Sequence, residues 1–206
     1  MAQTLDVCIQ GDGMVGRTLA LLLARQRLRV GLVTSPPKTS QDVRAYSLNK
    51  ASHDLLSDLR CWPDAVHATP VQDMRVWGDD QGFVHFASPT PEGLSWIVDV
   101  PVLEDQLAQA VRFQSEIASL PAPEPAALTV ICEGRHSSTR EALGVQFETL
   151  PYQQHAVAAR VRGSVAHRQQ ALQWFHQGPQ GLGILALLPL GGVQGDSAAL
   201  VWSVSP

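Results

Sequence analysis

The N-terminal part of the chain alternates short apolar runs with polar breaks at the spacing of a strand, a helix and a second strand. Residues 5–10 form an apolar run that is typical of a buried strand, and the positions that follow have helical character through Arg25. Residues 28–33 are a second run of strand length, rich in valine and leucine. This order predicts a βαβ unit, in which the two strands lie parallel in one sheet.

The middle of the chain carries the patterns of two further helices and a hairpin. Leucines at helical spacing predict a helix over 45–59. Pro101 is allowed in the first turn of a helix, and the apolar residues after it predict a helix over 102–113. Alternating residues over 71–86, interrupted by glycines, predict a β-hairpin. Helices and antiparallel strands are therefore expected to be mixed here.

The remaining strands determine the expected fold class. A buried strand over 127–132 follows a proline-rich stretch and returns the chain to the first sheet. Other short apolar or alternating runs predict strands at 95–98, 156–161, 172–175, 183–189 and 200–204. We expect an α/β fold, with a Rossmann-like domain built on a mainly parallel sheet and an interleaved antiparallel β region. The expected limits are 1–70 with 99–150 for the first domain, and 71–98 with 151–206 for the second domain.

Composition restricts the classes of function. A chain of 206 residues with 45% apolar and 17% charged residues can bury a sizeable core. The net charge of −4 gives no basic surplus, so we expect small-molecule ligands and no nucleic acid. Cys8, Cys61 and Cys132 are widely spaced and the seven histidines are scattered, so neither disulfides nor a metal site are predicted. Because no secretory signal is recognised, a cytoplasmic protein is expected, and peripheral contact with the inner membrane stays open.

A glycine pattern joins the first predicted strand to the first predicted helix. Gly11, Gly13 and Gly16 follow the G-x-G-x-x-G spacing of a dinucleotide-binding turn. Each glycine removes a side chain where one would obstruct the turn, the phosphates or the packing of helix on strand. The first N–H groups of the helix, around Met14 and Val15, then face the anion. The context predicts a pyrophosphate site, and an ordinary glycine-rich turn is the alternative.

The end of the second strand departs from the usual dinucleotide pattern. An acidic residue at this place binds the adenosine ribose in many such domains, and here the strand ends in Thr34. Its hydroxyl can take part in ribose binding but lacks the paired acceptor oxygens of a carboxylate. Ribose binding is therefore weaker than usual, supplied from elsewhere, or not required.

Three segments in this order resemble the flavin-dependent aromatic hydroxylases. They are GDGMVGRTLA at 11–20, RAYSLN at 44–49 and EGRHSSTR at 133–140. The match is best with the N-terminal portion of the ubiquinone-biosynthesis branch of that family. The resemblance implies a Rossmann-like FAD-binding domain with an antiparallel substrate region. It also implies FAD as the cofactor and NAD(P)H as the electron donor.

The resemblance assigns roles to residues outside the glycine turn. Arg44 would reach the flavin or its phosphates, and a solvated loop residue is the alternative. Glu133 and Gly134 stand where these hydroxylases carry an Asp-Gly pair that touches FAD and the path of NAD(P)H. The alternative for that segment is a helix capped by Ser137 or Ser138, with a solvated Arg140.

The implied activity is hydroxylation of an aromatic, phenolic ring that resembles a ubiquinone precursor, with NAD(P)H and O2. The implied partners are this small aromatic substrate and O2, without a metal, and association with a multi-enzyme complex stays open. No side chain is identified as a catalytic acid or base. The alternative is a truncated or degenerate relative that serves as a non-catalytic binding or assembly subunit. This alternative is supported by Thr34, Pro101 and Glu133, which differ from the residues usual in the family at these positions. It is also supported by the lack of a second FAD motif of the form Gly-Asp-Ala-x-His.

Overall fold

The computed structural model describes residues 4–36, 42–79, 81–178 and 181–205. Its α-helices are α1 (Met14–Arg25), α2 (Lys50–Asp58), α3 (Val100–Arg112) and α4 (Ser138–Ala142). Its strands are β1 (Leu5–Gln10), β2 (Val30–Val33), β3 (Ala45–Leu48), β4 (Ala68–Val71), β5 (Asp73–Trp77), β6 (Phe83–Ala87), β7 (Ser95–Asp99), β8 (Ile117–Leu120), β9 (Ala126–Ile131), β10 (His155–Arg162), β11 (Gln170–Gly178), β12 (Gly181–Leu190) and β13 (Ser197–Val204). The fold is mixed α/β, as predicted.

The first of two compact units contains the parallel sheet. It comprises the described residues up to Pro36, together with Leu56–Cys61 and Leu103–Thr149. The strand order is β8-β2-β1-β9, and every pairing is parallel. The pairing of β1 with β2 confirms the predicted βαβ unit, and the pairing of β1 with β9 confirms that the strand near 127–132 returns to the first sheet.

Burial explains why these segments form their elements. Cys8 and Ile9 in the centre of β1 have no solvent exposure, since β1 is a central strand of this sheet. In α1 the buried residues Gly16, Ala20 and Ala24 recur at intervals of four and so lie on one face of the helix. Their small side chains allow a close approach of the helix to its neighbours.

The predicted helix over 45–59 is wrong at its start. Ala45–Leu48 is strand β3, which pairs antiparallel with β7, and the helix begins only at Lys50. The carboxamide oxygen of Asn49 accepts a hydrogen bond from the backbone N–H of Ser52 at 3.0 Å, which is the geometry of an N-cap. The spacing of the leucines therefore placed the helix start too early, because the cap residue Asn49 determines where the helix begins.

Strand β8 was not predicted. Ile117–Leu120 pairs parallel with β2, with Val30 opposite Ile117. The segment is four residues long and contains an alanine and a serine, so its own sequence favours a strand only weakly. Its pairing with β2, more than 80 residues away in sequence, stabilises the strand.

The second unit contains the antiparallel structure. It comprises Asp42–Leu55, Trp62–Val102 and the described residues from Leu150 onward. Its larger sheet has the order β10-β13-β12-β11-β5-β6, in which only the pairing of β11 with β5 is parallel, and a smaller sheet has the order β3-β7-β4. A cluster of buried residues forms the core, namely Val71, Ile97, Ala171, Leu190 and Ala199.

The predicted hairpin is confirmed for β5 and β6. The backbone N–H of Gly78 donates to the carbonyl of Gly82 at 2.8 Å, and the two strands pair antiparallel. Val71, at the start of the predicted hairpin, belongs instead to β4 and is buried in the core. The predicted domain limits stay a prediction, and the compact units place 42–55 and 62–70 with the antiparallel structure.

Candidate functional site

The glycine turn lies between β1 and α1 in the first unit. Gly11 has a φ of +107°, in the region where only glycine is unstrained. A Cβ at this position would lie 2.5 Å from the backbone oxygen of Cys132. Gly11 is therefore required both by its conformation and by the approach of the chain that leaves β9.

The other two glycines serve different purposes. A Cβ on Gly16 would lie 1.9 Å from the carbonyl oxygen of Gly11, so a side chain here would force the helix away from the turn. Gly13 has an ordinary φ of −68°, and a Cβ there would meet nothing within 4 Å. Gly13 thus leaves open space at the helix start, on the side from which a ligand can approach the backbone.

The start of α1 has the features of an anion site. The N–H groups of Met14, Val15 and Gly16 belong to the first turn, where the helix itself supplies no acceptor. The first helical bond runs from Arg17 N to the carbonyl of Gly13 at 3.0 Å. The helix dipole adds positive potential at this end. A turn that is tight at Gly11 and Gly16 and open at Gly13 fits the pyrophosphate of a dinucleotide.

The structure places a carboxylate at the end of β2 that the sequence did not predict. Oδ1 of Asp12 accepts a hydrogen bond from the backbone N–H of Ser35 at 3.0 Å. The predicted ribose residue Thr34 instead directs its hydroxyl to the carbonyl of Leu120 at 3.4 Å. The sequence reasoning missed Asp12 because nothing in the glycine pattern specifies where the side chain between the first two glycines points.

The predicted Glu133 segment forms a hydrogen-bonded cap on α4. The Glu133 carboxylate accepts bonds from the Ser137 hydroxyl at 2.6 Å, the Thr139 hydroxyl at 2.7 Å and the Thr139 N–H at 3.2 Å. The Ser137 hydroxyl in turn accepts from the N–H of Arg140, which confirms the predicted cap by Ser137. The solvated Arg140 of that interpretation is wrong, because its guanidinium donates to the carbonyl of Arg135 at 3.0 Å and lies 4.1 Å from the centroid of the Phe147 ring. Gly134 has a φ of +75° in the turn between them. The hydrogen bonds from Ser137 and Thr139 lower the pKa of Glu133 below its usual value.

The Glu133 network predicts a local effect on α4. Glu133→Ala removes an acceptor from the Thr139 amide and from two hydroxyls, so α4 is expected to open more often. Deuterium uptake of a peptide that contains 137–145 should become several-fold faster at neutral pH. Glu148→Ala, a change at an exposed glutamate outside the network, is the control. Equal uptake in the two variants would contradict this role for Glu133.

Arg44 lies in the second unit, directly before β3. Its guanidinium donates to the Asp42 carboxylate, with Nε at 2.8 Å from Oδ1, and to the hydroxyl of Tyr46 at 3.0 Å. Its carbonyl oxygen accepts from Nη2 of Arg160 at 3.3 Å. Arg160 also forms a two-pronged pair with Asp99, at 2.7 and 2.9 Å. Arg160 thereby links the segment that contains Arg44 to Asp99 at the end of β7 through hydrogen bonds.

The Asp99–Arg160 pair predicts a pH-dependent loss of stability. The Arg160 guanidinium holds the pKa of Asp99 below its usual value, so the stabilisation is present at neutral pH and is lost as the pH falls through this lowered pKa. Arg160→Ala is expected to lower the free energy of unfolding by about 1–3 kcal/mol at pH 7 and by less near pH 3. Urea denaturation at both pH values measures the change in the free energy of unfolding. Arg162→Ala, at a more exposed pair with Asp196, is the control and should cost much less than Arg160→Ala at either pH. A loss for Arg160→Ala that does not depend on pH would contradict the role of Asp99.

The large sheet of the second unit carries an apolar cavity of about 510 Å³. Trp174, Trp202 and Leu185 are among the residues that line it, together with His176. The Trp174 ring stacks on Trp77, with 5.0 Å between ring centroids and 8° between the planes. Two tryptophans therefore contribute to the lining of this cavity, which lies on one sheet.

Within residues 4–36, 42–79, 81–178 and 181–205, no group of three or more histidine, cysteine, aspartate or glutamate side chains is arranged to hold a metal ion. No helix in these ranges is long and apolar enough to cross a bilayer.

Comparisons with known proteins agree with the resemblance that the three sequence segments indicate. No family model matches the chain. It is 27% identical to the ubiquinone hydroxylase UbiL of Rhodospirillum rubrum, over 96% of this chain and 51% of that protein. It is 24% identical to the mitochondrial ubiquinone biosynthesis monooxygenase COQ6 of Homo sapiens, over 97% of this chain and 51% of that protein. The chain is similar to ubiquinone hydroxylases over nearly its whole length.

A solved structure shows the same type of fold. The chain matches pqsL, a probable FAD-dependent monooxygenase from Pseudomonas aeruginosa, with a TM-score of 0.76 and 19% identity. The match covers 98% of this chain and 61% of that chain. The predicted fold class and the predicted resemblance are confirmed. The chain spans about half the length of the ubiquinone hydroxylases that it matches.

Proposed function

We propose that the chain binds FAD, with the pyrophosphate at the turn between β1 and α1. The observation that carries the proposal is the difference in the space around the three glycines of the turn. Gly11 and Gly16 have no room for a Cβ, whereas Gly13 has open space around the position of its Cβ. A turn that merely connects a strand to a helix needs the first two properties but not the third. The family resemblance then favours FAD over a nicotinamide dinucleotide.

The other residues of the proposed FAD site are contributed by several segments. The N–H groups of Met14 and Val15 would receive the pyrophosphate together with that of Gly16. The sequence pattern and the family resemblance assign Thr34, Arg44, Glu133 and Gly134 to the cofactor, and the proposal includes these residues. For Glu133 the structure defines a cap on α4, so its proposed contribution is to fix the position of Gly134 and the following turn.

The proposed reaction of the full-length protein is hydroxylation of an electron-rich aromatic ring. FAD supplies the redox chemistry, with NAD(P)H as the proposed electron donor and O2 as the oxygen source. The chain's own contribution is to bind and orient. In the second unit, the cavity lined by Trp174, Trp202 and Leu185 offers an apolar lining that suits an aromatic substrate. The names of the relatives support a ubiquinone precursor as the substrate.

Titration of the purified chain with FAD tests the proposal. Saturable quenching of flavin fluorescence at a single site is expected of the chain, and oxidation of NADH or NADPH stimulated by a phenolic substrate is expected of the full-length protein. A chain that is folded by circular dichroism and takes up no FAD would overturn the proposal. That outcome would instead support the second candidate, a non-catalytic relative that serves as a binding or assembly subunit.

A further inference from the structure

Strand β2 ends without an acidic residue of its own, yet a carboxylate lies at its end. The backbone N–H of Ser35, the residue after Thr34, donates to Oδ1 of Asp12 at 3.0 Å. Asp12 is in the glycine turn, 23 residues earlier in the chain. The carboxyl end of the second strand is where dinucleotide-binding domains place the acidic residue that binds the adenosine ribose.

Arg17 neutralises this carboxylate beside the anion site. Nη2 of Arg17 lies 3.1 Å from Oδ2 of Asp12, and Nη1 of Arg17 donates to the carbonyl oxygen of Glu104 at 3.0 Å. The guanidinium is therefore held by two partners and remains beside Asp12. An unpaired carboxylate next to the start of α1 would repel a pyrophosphate, and the ion pair removes most of that repulsion.

The Asp12 carboxylate retains capacity to accept further hydrogen bonds. An ionised carboxylate has about four lone-pair directions, of which Ser35 and Arg17 occupy two. The side chain is 15% exposed, so part of it reaches the surface. By contrast, the hydroxyl of Thr34 is directed to the carbonyl of Leu120 on β8.

We propose that Asp12 replaces the missing acidic residue of β2 and accepts hydrogen bonds from the ribose hydroxyls of the adenosine half of the cofactor. This inference rests on the proposed FAD site and names the residue that recognises the adenosine. Arg17 is the positioning residue that holds the carboxylate in place.

The test compares two ligands that differ only in the ribose hydroxyls. Calorimetric titration of the chain with ADP and with 2′,3′-dideoxy-ADP should give about tenfold tighter binding of ADP, as a hydrogen bond to a charged acceptor provides. Asp12→Asn keeps an oxygen for Ser35 N–H but loses the charge. Its preference for ADP over the dideoxy ligand should fall severalfold. The readout is the ratio of the two affinities, because the unpaired Arg17 attracts the phosphates of both ligands alike.

Two further variants make the test specific. Asp6→Asn removes another carboxylate paired with an arginine, Arg29, at the opposite end of β1 and should leave the preference unchanged. Adding Thr34→Glu to Asp12→Asn places a carboxylate at the usual position and should restore the preference for ADP. A merely structural role of Asp12 would not produce that rescue.

The outcomes separate this inference from the proposed function. A wild-type chain that binds both ligands equally overturns the role of Asp12 and leaves FAD binding standing, whether or not the variants fold. An Asp12→Asn variant that retains the full preference for ADP overturns it as well. A wild-type chain that binds neither ADP nor FAD overturns the proposed function together with the inference.

Discussion

Gly16→Ala is expected to lower the free energy of unfolding by at least about 3 kcal/mol, near the upper end of what overpacking costs. The added Cβ would lie 1.9 Å from the carbonyl oxygen of Gly11, far inside van der Waals contact. The oxygen belongs to the backbone of a glycine that is itself confined by Cys132, so the turn has little freedom to move away. Since small domains are stable by only about 5–15 kcal/mol, the loss should be evident in urea denaturation followed by circular dichroism.

The matched control is the same substitution three residues earlier. A Cβ on Gly13 meets nothing within 4 Å, and its φ of −68° suits alanine. Gly13→Ala should therefore cost about 1 kcal/mol or less, mostly through the poorer N-cap that alanine provides. Similar losses in the two variants would contradict the close approach of Gly16 to the carbonyl oxygen of Gly11.

Gly13→Ala is expected to weaken FAD binding about tenfold or more, although the variant remains folded. The methyl group would occupy the open space through which the pyrophosphate reaches the N–H groups of Met14 and Val15. Binding of the flavin half alone should be affected much less, because FMN lacks the pyrophosphate bridge to adenosine. Fluorescence titrations with FAD and FMN measure the two affinities.

A control keeps this prediction separate from a general loss of folding. Gly78→Ala adds the same methyl group in the hairpin of the second unit, where the nearest atom to its Cβ lies 3.9 Å away. This variant should bind FAD as the wild type does. Wild-type FAD affinity in Gly13→Ala would mean that the phosphates do not approach the turn on the side of Gly13.

The sequence predicted the glycine turn and its two flanking elements because each has a strong local signal. Buried apolar runs, a periodic helix and three glycines at fixed spacing all favour the same structure between Leu5 and Arg25. The sequence signal was weaker for segments whose strand structure depends on pairing with a distant part of the chain. Ala45–Leu48 pairs with β7 and Ile117–Leu120 with β2, and neither short segment has a composition that excludes other structures.

The backbone conformation of the candidate site could be predicted from the sequence, whereas the contacts of its side chains were harder to predict. The roles of Gly11, Gly13 and Gly16 depend on local geometry, which a motif specifies. The hydrogen bond from Ser35 to Asp12 depends on how two loops 23 residues apart meet, and no local pattern contains that information. The cap that Glu133 forms on α4 could be anticipated from the serine and threonine residues that follow it, since these are common at helix starts.

The measurement that tests the central claim most directly is the mapping of nucleotide binding onto the backbone amides by NMR. The ¹⁵N-labelled chain is titrated with ADP, which contains the pyrophosphate and the ribose but no flavin. The account predicts saturable shifts that are largest for the amides of Gly11, Gly13 and the first turn of α1. Shifts concentrated in the second unit, or no saturable change at the turn of a folded chain, would contradict it.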